Sequence, residues 1–330
     1  MSAIVIGESV IEIIKGYDEQ QHRPGGVFLN SAIALSQLNR HVRFLTDYGT
    51  DTNGDMIHEY LADFNIEEMV RPRDERSSQT ITTFVARVGT GLAPFSHENI
   101  MFDIVPPPTT PMERLDLDLF APRSALFGSI SCHINPGDSK VLDWITTLRD
   151  TSTIYFDPNV RPTITPNLNK TRDRIEECIE LSDVVKASEK DVVTLYGANV
   201  DYDTVAQMWL DKGPSVVAIT HGYKGSVLYS KSGDIVSIPA IKTDVIDPFG
   251  GGDAYMAALV DCMARIALDT AARRENLKRI TRVNLEMLGG FATSAASLVV
   301  SKQGPIMPTR DELMSRYHLF RTRPNITASI

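Results

Sequence analysis

Between residues 124 and 222 the chain alternates regularly between short apolar runs and amphipathic stretches. "SALFGSI" (124–130) reads as a strand and "SKVLDWITTL" (139–148) as a helix; "TIYFD" (153–157) and "RDRIEECIEL" (172–181) repeat the pair. "DVVKAS" (183–188) leads into a helix at 189–195, "DTVAQMWL" (203–210) supplies another, and "VVAITHG" (216–222) is again a strand. Parallel strands need long crossovers, usually helical, and a parallel sheet needs cover on both faces. The pattern therefore predicts an α/β fold: a doubly wound, mostly parallel sheet with helices on both faces.

The flanks continue the scheme. "AIVIG" (3–7) and "VRFLTDYG" (42–49) read as strands, and "GGVFLNSAIALSQLN" (25–39) as a helix with Ala32, Leu35 and Leu38 at helical spacing. "GSVLYSKSGDIVSIP" (225–239) is a hairpin about Ser232-Gly233, and the C-terminal third is largely helical. "TITTFVARV" (80–88) and "NIMFDIV" (99–105) suggest a small antiparallel patch outside the main sheet, with "PPPTTP" (106–111) as a linker. In open α/β sheets ligands bind beyond the carboxyl ends of the strands. The informative loops are thus those after "AIVI", "YFD", "VVKAS", "VAIT" and "DVID".

A formal net charge of -9 argues against a broad nucleic-acid or anionic-membrane surface, so any anion must be held by local donors. Cys132, Cys178 and Cys262 are odd in number and far apart, which reads as reduced thiols. The start has no basic n-region, and no uncharged apolar run reaches the roughly 18 residues of a membrane span. The expectation is a cytoplasmic protein with no nucleic-acid or membrane partner. There is no Walker-type G-x-x-x-x-G-K-[ST], no H-E-x-x-H and no C-x-x-C.

"DVIDPFGGGDAYMAALV" (244–260) places three glycines and an aspartate between a strand-like and a helix-like run. Glycine disfavours helix by about 1 kcal/mol relative to alanine, so this opening carries a local cost. At a helix N-terminus, Gly250, Gly251 and Gly252 would let an anion approach unpaired N–H groups at the positive end of the dipole. Asp253 would repel a phosphate unless it addressed a neighbouring hydroxyl, taking its proton as the oxygen attacks phosphorus. The alternative is a glycine-rich turn with Asp253 as an ordinary first-turn acid.

The stretch "DPFGGGD" resembles the D-T-x-G-A-G-D signature of the ribokinase-like sugar kinases, with departures at Pro248, Phe249 and Gly251. The resemblance implies an anion hole at Gly250–Gly252 and a catalytic base at Asp253, and it extends along the whole chain. "IGESVIEI" (6–13) is similar to the family's G-E-x-L-x-D, which puts Glu12 where an aspartate binds sugar hydroxyls. "PGGVFLNSA" (24–32) resembles G-G-x-x-x-N-x-A, which implies that the sugar lies against Gly25 and Gly26 and is contacted by Asn30. "FDPNVRP" (156–162) resembles a segment of fructokinases and 2-keto-3-deoxygluconate kinases; Arg161 is expected on a sugar oxygen or the transferring phosphate. Asn159 and, in the glycine motif, Asp247 are assigned to the substrate.

"KASEKD" (186–191) occupies the N-x-x-E position that organises magnesium and phosphates through water, implicating Lys186, Ser188 and, towards the metal, Asp191. "AITHGYKG" (218–225) resembles the nucleotide loop through Thr220, Gly222 and Gly225, and Thr293 falls on the helix beside the adenine. The family implies one catalytic domain over 1–330 with a small discontinuous β lid near 10–24 and 79–105. Its cofactors would be ATP and Mg2+, with room for a potassium ion and for a homodimer through an apolar lid face. Fructokinase is the reading in best accord with the motifs. 2-Keto-3-deoxygluconate kinase is the alternative, although Arg87 is the only arginine near the lid strand for its carboxylate. A non-catalytic sugar sensor on the same fold stays open because of Glu12, Pro248, Ser188 and Asp191.

Overall fold

The computed structural model describes residues 2–15, 20–70, 74, 76, 78–88, 91–92, 122–133, 138–162, 165 and 167–322. The strands are β1 (Ser2–Ile6), β2 (Val10–Lys15), β3 (Gln20–Gly25), β4 (His41–Leu45), β5 (Glu67–Met69), β6 (Thr82–Val88), β7 (Gly91–Leu92), β8 (Ser124–Gly128), β9 (Thr153–Asp157), β10 (Val184–Ser188), β11 (Val216–Thr220), β12 (Ser226–Ser230) and β13 (Ile235–Ile238). The helices are α1 (Val27–Gln37), α2 (Thr52–Asp63), α3 (Asp138–Leu148), α4 (Leu168–Glu180), α5 (Glu189–Tyr196), α6 (Tyr202–Lys212), α7 (Gly251–Arg265), α8 (Arg274–Leu277), α9 (Arg282–Val300) and α10 (Arg310–Arg321).

The main sheet has nine strands in the order β13-β12-β11-β10-β9-β8-β1-β4-β5. From β5 to β11 every pairing is parallel, and the β12–β13 hairpin closes that edge antiparallel. The central strands are buried throughout, as two-sided cover demands: Ile4, Val5, Phe127, Ile154 and Phe156 have no exposed surface. One apolar core joins the sheet to α1, α7, α9 and α10; a second joins it to α3, α4, α5 and α6. This is the doubly wound α/β fold that the alternation predicted.

The smaller sheet, order β3-β2-β6-β7, differs in detail from the expected antiparallel patch. Its central pairing, β2 with β6, is parallel, and antiparallel neighbours flank it. β7 pairs with β6 through Arg87 and Leu92, whereas "NIMFDIV" lies outside the described residues. Ile11, Ile13 and Ile14 are buried within the single chain. The small sheet is tied to the main one where Asp51, the N-cap of α2, accepts the Thr80 N–H (3.1 Å) and hydroxyl just ahead of β6.

Among the described residues, α9 is the one helix long and apolar enough to cross a membrane, and it is a core element. It packs along α7 and against β12 and β13. α7 is also anchored by Asp261, fully buried, which takes Arg40 (2.6 Å), Arg265 (2.7 Å) and Arg310 (3.0 Å). Its partner α1 crosses it closely, so the N-terminal turns of the two helices meet.

Candidate active site

Gly250 caps α7 in the left-handed region (φ 77°), and a Cβ there would stand 2.7 Å from Pro305 Cβ. No other residue type fits both constraints. The first intrahelical bond runs from the Ala254 N–H to the Gly250 carbonyl (2.9 Å), so the amides of Gly251, Gly252 and Asp253 precede it. A Cβ on Gly252 would come within 3.2 Å of Lys186 Nζ; the ammonium therefore lies over this amide end. The opening of α7 thus presents bare N–H groups, a positive dipole end and a cation together, the requirements of an anion site.

Asp253 follows in the first turn, and the amide of Asn30, in the first turn of α1, donates to its Oδ2 at 2.8 Å. Burial pushes the Asp253 carboxyl up to about 7, against the lowering influence of Asn30, Lys186 and Arg161. A carboxyl poised there exchanges protons near neutrality, as a general base should.

Lys186, on β10, donates to Asp157 Oδ2 at 2.7 Å at the end of β9, and both side chains are almost fully buried. Burial alone would lower the lysine, but Asp157, Asp191 and Asp253 hold it above its ordinary value, so it remains a cation. Asp157 Oδ1 is buried with no protein partner. Arg161 makes one long bond to the Val160 carbonyl (3.4 Å) and exerts its charge on Glu8, Asp157 and Asp253. Glu8, just past β1, is pushed up to about 7 by burial, and its Oε2 is enclosed without a partner. Asn159 donates to Ser129 Oγ (2.9 Å); both residues hold positive φ, 36° and 53°, in adjacent loops. Such backbone strain costs about 1–3 kcal/mol per residue and clusters where geometry serves function.

At the other side, Gly26 (φ 110°) caps α1, and a Cβ there would meet the Glu8 carbonyl at 3.0 Å. Gly25 has a reason the motif did not suggest: a Cβ on it would lie 2.6 Å from Glu12 Cδ. The space above Gly25, expected to receive sugar, is taken by the Glu12 carboxylate, which accepts from Arg23 Nε at 2.7 Å. Asp247 is buried and braces the α7 turn, accepting from Phe249 N–H (3.0 Å) and from Gly304 N–H (2.9 Å).

Thr220 ends β11 beside Ser188 on β10, with its hydroxyl directed to the Ala187 carbonyl (3.4 Å). Gly222 (φ 56°) and Gly225 (φ 108°) shape the following turn, where a Cβ on Gly225 would lie 2.0 Å from the Ile238 carbonyl. Thr293 is buried on α9, its hydroxyl without a partner. Both carboxylate oxygens of Asp191 take protein donors. Its Oδ2 accepts from the Ser188 amide (2.8 Å) and hydroxyl (2.6 Å), and its Oδ1 accepts from Val160 N–H (2.7 Å). Those donors make it and Ser188 a capping box that ties α5 to the β9 loop.

Residues 2–312 match the pfkB family of carbohydrate kinases. The chain belongs to that family. It is 28% identical over 319 residues to an uncharacterised sugar kinase of Pyrococcus horikoshii, covering 94% of this chain and 93% of that protein. It is 26% identical over 298 residues to fructokinase-1 of Zea mays, covering 88% and 87%. A crystal structure of a Xylella fastidiosa fructokinase with bound ATP shares the fold, with TM-score 0.80 at 21% identity over 96% of this chain and 98% of that one.

In this pfkB family kinase the structure draws Asp253, Gly250–Gly252, Asn30, Lys186 and Arg161 into mutual range. Thr220, Gly222 and Gly225 are set apart along the sheet edge, beyond β10. It also adds Glu8, Asp157, Ser129 and Arg23, which motif reading did not single out. Glu8 and Asp157 carry a legible signal, a charged residue at the carboxyl end of a buried parallel strand. Arg23 carries none locally; it reaches Glu12 because the β2–β3 register pairs the two.

Proposed function

We propose that this carbohydrate kinase transfers the γ-phosphoryl group of ATP to the primary hydroxyl of a small neutral sugar, as a fructokinase. The observation that carries the reading is Asp253: a buried carboxyl with its pKa pushed up to about 7, oriented by Asn30, one residue past a bare helix N-terminus. The relatives named fructokinases support the choice of sugar.

Asp253 would take the proton as the sugar oxygen forms its bond to phosphorus. The bond from phosphorus to the β–γ bridging oxygen breaks, and ADP leaves with the electron pair; Asp253 later returns its proton to solvent. The amides of Gly251 and Gly252 and the ammonium of Lys186 would meet the growing negative charge, and Arg161, whose charge already acts on Asp253, would add to them. These positions suit a nucleotide's terminal phosphate because, among the described residues, Lys186 is the one whose atoms come within 4 Å of where a Gly252 Cβ would stand. A magnesium ion would supply charge neutralisation between the phosphates. The described residues contain no cluster of three His, Cys, Asp or Glu side chains able to hold a metal. The unpartnered oxygens of Asp157 and Glu8 are the donors that fit an ion retaining most of its water. Thr220, Gly222, Gly225 and Thr293 are assigned to the nucleoside.

The test is Asp253→Asn, an isosteric change that removes the base. Sugar-dependent ADP release should fall by about 10²- to 10⁴-fold with sugar KM little changed. A near wild-type rate would refute the assignment.

A further inference from the structure

Arg161 stands among three carboxyl groups and is paired with none of them. Its charge acts on Glu8, Asp157 and Asp253. Among the described residues, though, its one hydrogen bond goes to the Val160 carbonyl (3.4 Å), and no carboxylate oxygen lies within ion-pair distance. A long, flexible cation beside carboxylates normally closes onto one of them, so its root must be held back. The two residues before it are fixed from neighbouring elements. Val160 N–H donates to Asp191 Oδ1 (2.7 Å), and the Asn159 amide donates to Ser129 Oγ (2.9 Å). Ser129 in turn bonds the Glu8 carboxyl just past β1. Having accepted the amide's hydrogen, the hydroxyl still has its own proton to give, so the relay runs one way, from Asn159 through Ser129 to Glu8. Asn159 and Ser129 both hold positive φ (36° and 53°), a conformation that other residues than glycine keep only where their surroundings enforce it. The strand ends are pressed together here: Gly128 pairs with Asp157, and a Cβ on it would collide with the Asp157 carbonyl.

We propose that Glu8 is a positioning residue for phosphoryl transfer: through Ser129 and Asn159 it holds the β9 loop so that Arg161 stays free for the transferring phosphoryl group instead of closing onto Asp253. The inference rests on the sugar-kinase reading of the site and on Arg161 as a phosphate ligand. A direct Arg161–Asp253 contact would disable both groups at once. The guanidinium donors would be occupied by the carboxylate, and the carboxylate's lone pairs would be covered where the sugar hydroxyl must deliver its proton. Two residues in left-handed conformations store backbone strain, so the loop relaxes once the Glu8 end of the relay is cut. Glu8 can do this because β1, β8 and β9 are neighbours in the sheet, which sets its carboxyl, the Ser129 hydroxyl and the Asn159 amide side by side across three strand ends.

The experiment measures kcat at saturating ATP and magnesium, together with sugar KM, using the best substrate of a sugar panel that includes D-fructose. The proteins are the wild type, Glu8→Leu, Glu8→Gln, Asn159→Gly, Arg161→Met and the double variant Glu8→Leu/Arg161→Met. Glu8→Leu cuts the relay and should lower kcat by about tenfold or more with sugar KM little changed. Glu8→Gln still offers the hydroxyl an oxygen and should lose clearly less. Asn159→Gly accepts the left-handed backbone but gives up the amide, so kcat should fall without a matching fall in thermal midpoint. Arg161→Met should lower kcat by about 10²-fold. In that background Glu8→Leu should cost nothing further, because the group it positions is gone. Thermal midpoints confirm that each variant is folded. Losses that multiply in the double variant, or a Glu8→Leu enzyme with wild-type kcat, overturn this inference alone. An Arg161→Met enzyme as fast as the wild type overturns it together with the arginine's role, and a wild type inert towards every sugar overturns the kinase reading beneath both.

Discussion

Replacing Lys186 with methionine removes one member of a buried ion pair and leaves the other. Nζ and Asp157 Oδ2 are 2.7 Å apart with side-chain exposures of 7% and 2%, so bulk water screens them little. At an effective dielectric of 20, two unit charges at that separation attract by about 6 kcal/mol. Desolvation offsets part of this, and loss of one partner from such pairs leaves a net cost of about 3–5 kcal/mol. Asp157 already has its carboxyl raised, by burial first and despite Lys186. Without the lysine it should rise further and be neutral in the folded protein over a wider range. The sign follows from linkage: a folded carboxyl with a raised pKa binds more protons than the unfolded chain, so stability is lost as pH rises. Lys186→Met should therefore be markedly less stable than wild type at pH 8 and closer to it at pH 5. The double variant Asp157→Asn/Lys186→Met, which buries no lone charge, should recover most of the loss. Urea denaturation followed by tryptophan fluorescence and circular dichroism together measures this. A loss below about 1 kcal/mol at pH 8, or a double variant no better than the single, would refute the reasoning.

The pH profile of kcat/KM for sugar should rise through about 7 as Asp253 deprotonates, and Asn30→Leu, which removes a hydrogen bond to the charged form, should move that limb upward. The same raised pKa means that Asp253 costs stability as pH climbs from its unfolded value to about 7; Asp253→Asn should be the more stable protein at pH 8 and lose that advantage near pH 4, read by thermal shift. Gly250→Ala forces a left-handed backbone, about 1–2 kcal/mol, and a crowded Cβ against Pro305, about 1–3 kcal/mol more, so its urea midpoint should fall substantially. Asp191→Ala should lower stability by about 1–3 kcal/mol by orphaning the Val160 amide while leaving the magnesium dependence of turnover unchanged; a shifted metal requirement would restore the role in metal binding suggested by its motif.

Strand–helix alternation was legible because it depends on chain-local periodicity: β9 and β10 each end on a polar residue, and α4 and α5 after them bury one face. The glycine run was legible for a similar reason, since a helix opening that carries that much backbone freedom needs an external explanation. Asp191 reads two ways in the sequence because Ser and Asp three residues apart fit a capping box as well as a phosphate motif. Only the fold brings Val160 N–H, from β9's loop, onto the second oxygen of that carboxylate. Gly25 is similar: a glycine beside a pocket and a glycine beneath a carboxylate look identical in one dimension.

The sequence alone determined the doubly wound architecture, the helix that opens at Gly251 and the acid in its first turn. Periodicity and backbone sterics act over a few residues and are written directly in the order of side chains. The tertiary structure alone decided that Asn30 orients Asp253 across 223 positions, that Lys186 is paired with Asp157, and that Arg23 holds Glu12 over Gly25. Those contacts depend on the register of distant strands and on how closely α1 crosses α7, and burial then sets the charges. None of these is a property of any short stretch of chain.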